Sequence, residues 1–310
     1  MRYTCLQTIY ELAKKNKKIC FVGSDLGFGV LKEFKKNFKD RFFMEGVSEQ
    51  HITGMAAGLA MEGFIPYFNT IATFITRRNF EQNVVDLGLH KVPVRLIGNG
   101  GGLVYAPLGP THQAIEDISI MRTIPNMHII APCDRIEMKK LITQTVKIKN
   151  PLYIRLAKGG DEIVTTKKKI KYGKPILFGS SKNILFISTG VMTQECIKVQ
   201  KLLKKEKINS SVLHFGTIKP FDYKSLLTHA KNSKIILTVE ENILSGGFGS
   251  MVLEILNDMT NTKMKKVFRI GIKDQFVKKY GTQAQLFDYC GISSNKIFLK
   301  VKKILNEKKY

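Results

Sequence analysis

Two short stretches carry side chains whose types and spacing could move protons. The first is Glu45-Gly46-Val47-Ser48-Glu49-Gln50-His51. An apolar, β-type run, Arg41-Phe42-Phe43-Met44, leads into it, and ITGMAAGLAMEGF follows at once. In that following stretch Ile52, Met55, Ala56, Leu59 and Ala60 recur at one-face helical spacing, which predicts a helix over 49–62. Ser48 then stands at the N-cap and Glu49 in the first turn, beside the positive end of the helix dipole. Read alone, such a carboxylate only favours the helix, because acidic first turns are common. The second stretch is Gly109-Pro110-Thr111-His112-Gln113. An imidazole titrates near neutrality and suits proton transfer at a hydroxyl, although a histidine after Pro-Thr is by itself a loop residue. Between the two lie Phe74, which read alone is a core residue, then Arg77, then the loop Gly98-Asn99-Gly100-Gly101-Gly102.

Bringing these groups together needs a scaffold, and the sequence predicts one. Helix 4–16 and strand 18–22 come first, and Gly23-Ser24-Asp25-Leu26-Gly27 forms the loop at the strand's end. Strands at 41–44, 64–68, 92–97, 127–131 and 151–156 then alternate with helices at 49–62, 78–89, 114–123 and 134–148. Alternation at this spacing implies an α/β fold with a doubly wound parallel sheet, whose strand-end loops line the ligand crevice. A polar, lysine-rich linker is expected over 161–182. A second α/β domain follows over 183–310, with strands at 183–190, 211–215 and 234–239 and helices at 192–205 and 223–231. Gly246-Gly247-Phe248-Gly249 reads as a tight turn with close helix packing.

Composition bounds the function classes. The 310 residues are 44% hydrophobic and 24% charged, as in an ordinary globular protein with ample core. The net charge of +25 comes mostly from scattered lysines. No arginine-rich stripe or interleaving of basic and aromatic residues argues for nucleic acid, so a solvated surface that steers anionic substrates is the preferred reading. The five cysteines are odd in number, widely spaced and without C-x-x-C, which argues against a disulfide framework or a zinc site. No apolar run approaches the ~18 residues of a membrane span, and no secretory leader is evident. The expected location is cytoplasmic. A dinucleotide-binding reading fails because Leu103 stands where G-x-G-x-x-G needs its third glycine.

The ordered set of Gly-x-x-Glu49-Gln, Gly-Pro-Thr-His112-Gln and Arg122-Thr123-Ile124-Pro125-Asn126-Met127 resembles the pyrimidine-binding domain of transketolase-type, thiamine-diphosphate-dependent enzymes. The likeness is to 1-deoxyxylulose-5-phosphate synthases and to split transketolases. The T-G strand end at Thr189-Gly190, the turn Lys219-Pro220-Phe221-Asp222 and Glu240-Glu241 ahead of Gly246-Gly247 resemble the family's C-terminal domain. Together these cover about Gly23 to Ser293.

The resemblance implies that Glu49 contacts the cofactor's aminopyrimidine, carrying a proton to share with the ring, and that Phe74 stacks on it. Ser24 and Asp25 lie in the segment that opens the domain beside the cofactor. It further implies that His112, Gln113, Arg77 and Arg155 face substrate, with Arg155 matching a phosphate-binding arginine; from the residue alone, a surface ion pair is an equal reading. The family's G-D-G motif for Mg²⁺ and diphosphate is missing, so no metal ligands are assigned here. They are expected on an N-terminal partner subunit in an α2β2 assembly. The expected activity is two-carbon ketol transfer from a sugar or ketose to a carbonyl acceptor. Leu108 and the glycines at 100 and 101 replace polar family residues, which predicts a roomier, less polar acceptor pocket. Two other readings stay open: the β subunit of a 2-oxo acid dehydrogenase, and a noncatalytic binding or regulatory homologue.

Overall fold

The computed structural model describes residues 1–24, 29, 31–259 and 265–307. Its first half runs α1 (Arg2–Lys15), β1 (Ile19–Gly23), α2 (Lys32–Asn37), β2 (Phe42–Met44), α3 (Glu49–Met61), β3 (Ile65–Ile71), α4 (Phe80–Gln82) and β4 (Arg95–Asn99). It continues through α5 (Asp117–Met121), β5 (His128–Ile130), α6 (Arg135–Thr145) and β6 (Leu152–Leu156). Two wider, π-helical turns, Phe74–Arg78 and Asn83–Leu89, flank α4. The second half runs β7 (Ile176–Phe178), β8 (Ile184–Ser188), α7 (Met192–Lys205), β9 (Ser210–His214), β10 (Thr217–Lys219) and α8 (Tyr223–Lys231). It closes with β11 (Ile235–Ile243), α9 (Phe248–Asp258), β12 (Val267–Ile272), α10 (Gln283–Tyr289) and α11 (Ser294–Glu307).

The strands form two sheets, ordered β10-β5-β6-β4-β3-β1-β2 and β12-β11-β8-β9-β7. All pairings are parallel except those of β10 with β5 and of β7 with β9. Every residue of β1, β4, β6, β8 and β9 is buried. That is the condition of parallel strands covered by helices on both faces, and it explains their continuous apolar runs.

Two boundaries differ from expectation. Residues 176–178, placed in the linker, pair antiparallel with β9 as an edge strand, so the second sheet begins before 183. Residues 217–219 of the second half leave their own sheet and pair antiparallel with β5 of the first. The short run Thr217-Ile218-Lys219 gives little local signal for either partner. Lys219 then donates Nζ to the carbonyls of Arg122 (2.9 Å) and Ile124 (2.7 Å), fixing the exchange.

The buried Asp134 side chain ties the start of the segment between the sheets to α6. Asp134 caps α6 by accepting from the amides of Ile136 and Glu137, both at 2.9 Å. It also accepts from the amides of Val164 and Thr165 and from the Thr165 hydroxyl, all at 2.8 Å. Removing its carboxylate leaves those donors without their acceptor. Asp134→Ala is therefore expected to cost about 3 kcal/mol or more in urea unfolding, and Asp134→Asn less. A loss below about 1 kcal/mol for the alanine variant would show that these bonds do not hold the connection.

Candidate active site

The chemistry-bearing residues collect along the carboxyl edge of the first sheet, where a doubly wound sheet opens to ligands. Ser24 follows β1, Glu49 follows β2, Thr70 lies near the end of β3, and Asn99 ends β4. Glu49 heads α3 and is 1% exposed. Its Oε1 accepts from the hydroxyls of Ser24 and Thr70, both at the long distance of 3.4 Å. Its Oε2 pairs with Arg78 Nη1 at 2.6 Å. The Ser48 side chain caps no amide of α3; its hydroxyl turns back to the Glu45 carbonyl at 3.1 Å instead.

Phe74, half-buried, opens the π-helical turn after β3. Its ring meets the His112 ring edge-on, with centroids 5.3 Å apart. The Arg78 guanidinium carbon lies 4.2 Å from the Phe74 centroid. His112 Nδ1 is 2.9 Å from the Thr111 hydroxyl. Gln113 is 1% exposed, and neither oxygen nor nitrogen of its amide finds a hydrogen-bond partner among the described residues. Arg77 Nη2 donates to the Gln113 carbonyl at 3.0 Å, and its Nε pairs with Glu116 at 2.6 Å. Burial pushes the Glu116 carboxyl up, against the opposing pull of Arg77. Arg77 thus ties the π-helical turn to the histidine loop. Asp25 lies outside the described residues.

Arg155 departs from both readings of it. It is 6% exposed, so it is no surface ion pair, and its guanidinium is turned inward rather than held out to a phosphate. Nε binds Asp117 Oδ2 at 2.7 Å, and Nη2 donates to the Glu241 carbonyl at 2.9 Å. Nη1 lies 3.7 Å from Glu241 Oε2. Burial by itself would lower the Arg155 pKa; Asp117 and then Glu241 outweigh it and raise it.

Among the described residues, the glycines at 100 and 101 do not themselves open the room predicted at this loop. A Cβ on Gly100 would sit 2.1 Å from the Tyr105 ring, on Gly101 2.5 Å from Arg155, and on Gly102 2.2 Å from Glu241. The missing side chains make way for three neighbours, and the loop is packed. Leu108, 50% exposed, does remain as an apolar group on this rim. Glu241 Oε1 accepts from the Leu103 amide at 2.7 Å and from Gln283 at 2.8 Å. The second half therefore supplies part of the site's frame, a contribution sequence reasoning missed.

Sequence reasoning also missed Thr70, Arg78 and a buried cluster of Cys133, Glu137 and His214 at the junction of the two sheets. His214 Nε2 lies 2.8 Å from Glu137 Oε2, and Nδ1 lies 2.6 Å from the Thr193 hydroxyl. The Cys133 amide donates to Glu137 at 2.7 Å. These separations are those of hydrogen bonds; an ion held at ~2.1 Å by both nitrogen and oxygen would push the two apart. The cluster joins the halves as a polar staple.

Residues 1–160 match the transketolase pyrimidine-binding domain, and residues 176–297 match the transketolase C-terminal domain. The chain belongs to the transketolase family. It is 34% identical to a 1-deoxy-D-xylulose-5-phosphate synthase of Syntrophotalea carbinolica over 96% of this chain and 47% of that one. A Methanocaldococcus jannaschii protein provisionally described as a transketolase C-terminal section is 33% identical, over 98% of this chain and 94% of that one. Among solved structures, a chain described as a split gene transketolase, inactive beta4 tetramer, has a TM-score of 0.87 and 29% identity. That match covers 98% of this chain and 97% of the other. A transketolase of Campylobacter jejuni, at TM-score 0.79 and 19% identity, shares the fold over 95% of this chain and 45% of its own. The chain spans about half the length of the synthases it matches, and corresponds to the C-terminal half of a transketolase.

Burial leaves a titration signature in this transketolase half. It pushes the Glu241 carboxyl up to about 7, against Arg155, Gln283 and the Leu103 amide, which favour the anion. A carboxyl raised from its ordinary 4.5 keeps a proton in the folded chain that the unfolded chain has released. Stability then falls as pH rises between the two values. The unfolding free energy of wild type relative to Glu241→Gln is expected to fall from pH 4.5 to 7, by on the order of 3 kcal/mol, and to flatten above. Urea titrations across that range check it, and a rising difference would overturn the assignment.

Proposed function

We propose that this chain is the pyrimidine-binding, catalytic half of a two-part thiamine-diphosphate-dependent transferase, moving a two-carbon ketol unit to a carbonyl acceptor. One observation carries the reading: a carboxyl buried at a helix head beside an aromatic face, with an imidazole on that ring's edge. The donor set suits the uncharged end of the cofactor. Glu49 and Ser24 offer a carboxyl and a hydroxyl to an aminopyrimidine edge, Phe74 offers a face, and the Gln113 amide, without a partner among the described residues, offers a donor and an acceptor to a ligand. Bound there, thiamine diphosphate would supply a nucleophilic carbon and an electron sink.

The chain's own residues do the rest. Glu49 holds a proton at the ring nitrogen, and His112 moves one at a substrate hydroxyl. Phe74 offers an apolar face at this edge. With Arg155 committed to Asp117 and Glu241, an acceptor's phosphate is not read by that residue. The rimward position of Leu108 points the same way. The 2-oxo acid dehydrogenase reading has no observation in its favour beyond the shared domain plan.

Mg²⁺ and diphosphate ligands would come from a partner. Among the described residues the one group of three metal-donor side chains is Cys133, Glu137 and His214, which are joined by hydrogen bonds. The structural relative described as an inactive beta4 tetramer supports incompleteness of a lone half. We therefore expect the chain alone to bind thiamine diphosphate and Mg²⁺ weakly by calorimetry and to show negligible turnover. Activity should appear with an N-terminal transketolase half, in an α2β2 complex, when assayed against phosphorylated and unphosphorylated aldehydes. Micromolar cofactor affinity and turnover by the isolated chain would overturn this.

In the complex, Glu49→Gln keeps size but cannot deliver a shared proton. A lost transition-state interaction of ~3–4 kcal/mol corresponds to ~10²–10³-fold in kcat. Circular dichroism should show the fold intact. A kcat within threefold of wild type would remove Glu49 from the mechanism.

A further inference from the structure

Arg78 makes two contacts that belong together. Its Nη1 donates to the buried Glu49 Oε2 at 2.6 Å, and its guanidinium lies over the Phe74 ring at 4.2 Å. A flat, delocalised cation thus bonds the carboxylate with its edge and covers the aromatic ring with its face. Those are the same two contacts, edge to Glu49 and face to Phe74, that an aminopyrimidine would make in the reading above. A planar N–H donor of similar width already lies where the cofactor's ring would go.

We propose that Arg78 is a built-in stand-in for the pyrimidine, which must swing out before the cofactor can enter; this rests on the assignment of Glu49 and Phe74 to the cofactor site. Two observations and one chemical requirement support it. The arginine side chain is 42% exposed, so solvent is open to the departing guanidinium, while its partner carboxylate is 1% exposed. Among the described residues the other contacts of the Glu49 carboxylate are two long hydroxyl bonds at 3.4 Å, so within that set it depends on Arg78 for charge compensation until a ligand takes over. Finally, a carboxylate in an ion pair has no proton to share with a ring nitrogen, so the pair has to open for Glu49 to do its work. The neighbouring Arg77 takes no part in the exchange, because it is held by Glu116 and the Gln113 carbonyl.

The consequence is a competition inside one chain. A ligand that binds only the open form sees its affinity divided by the fraction of time that form is populated. With the open form at about one-tenth, removal of the guanidinium tightens apparent binding about tenfold. The probe is 4-amino-5-hydroxymethyl-2-methylpyrimidine, the ring half alone, titrated calorimetrically into the full chain, so that diphosphate ligands on a partner do not enter. Arg78→Ala is expected to bind it about tenfold more tightly than wild type, and the gain should vanish when Glu49→Gln is added. Ethylguanidinium should fill the vacated place in Arg78→Ala and compete with the pyrimidine there. Thermal melting establishes that the variants are folded.

Equal or weaker binding by Arg78→Ala, with Glu49 still required, overturns the stand-in and leaves the pyrimidine site standing. That result would make Arg78 a fixed positioning residue for Glu49. Absence of Glu49-dependent binding in both proteins at millimolar pyrimidine overturns the site assignment and the stand-in together.

Discussion

The buried guanidinium of Arg155 is the interaction on which the rest of the site's frame depends. It lies one residue from the end of β6 in the first sheet and reaches Asp117 at the head of α5 and Glu241 of the second sheet. Asp117 also accepts from the Tyr153 hydroxyl at 2.8 Å, and Glu241 holds the Leu103 amide. Through Gly102, whose amide and carbonyl both bond Ala114 at 2.9 Å, that grip passes to the residues next to Gln113 and His112. Breaking one partner of a buried ion pair typically costs 3–5 kcal/mol, because the survivor stays buried and uncompensated. The imidazole's position is therefore set from two sheets at once. The glycines at 100, 101 and 102 are the geometric condition for it, since any side chain there would displace Tyr105, Arg155 or Glu241.

How the two halves are joined follows from the same logic of satisfying buried polar groups. Parallel strands leave their end loops with polar backbone that must be paired. Here β10 crosses over to supply an antiparallel partner for β5, and the Ile243 amide donates to the Ile115 carbonyl at 2.7 Å. The His214–Glu137–Cys133 staple and the Arg122 bonds to Glu254 and to the Gly246 carbonyl add side-chain ties. Glu240, pushed up to about 7 by burial against the opposing amides of Gly249 and Phe248, closes the turn that leads into α9. The tight-turn reading of Gly246-Gly247 agrees with this, because a Cβ at Gly247 would lie 2.3 Å from Glu240.

Much of this was legible in the residues. Helices 192–205 and 223–231 fall where apolar spacing put them, because their periodicity is strong and their ends carry caps or chain turns. Glu49, Phe74 and His112 were legible as separate motifs, since each motif is local in sequence. What local pattern could not carry was contact between distant segments. Glu241 reaches Leu103 across 138 positions, and nothing in either stretch announces the other. Three-residue strands such as β7 and β10 are too short for alternation to register. Arg155 looked like a surface or substrate arginine because its two acids lie far from it in sequence and become its neighbours only when the sheets pack. Arg77 and Arg78 were separable only by the backbone: the wider π-helical turn brings the fourth residue, rather than the third, back over Phe74.

The site's two principal arginines show how burial divides fixed from replaceable roles. Arg155 and both its acids are almost wholly buried, so every arrangement that frees the guanidinium leaves charges stranded, and the cluster has one stable geometry. Among the described residues, Arg78 has one charged partner, the buried Glu49. Its own head remains 42% exposed, and a pair with an exposed member is typically worth no more than ~1 kcal/mol net. Glu49 still requires something planar and hydrogen-bonding beside it, since an unpaired buried carboxylate is costly. A rigid frame that holds His112 and an exchangeable cation over Glu49 and Phe74 therefore make different demands on the same fold. The first is met by arginine sealed between the sheets, the second by arginine at the solvent edge.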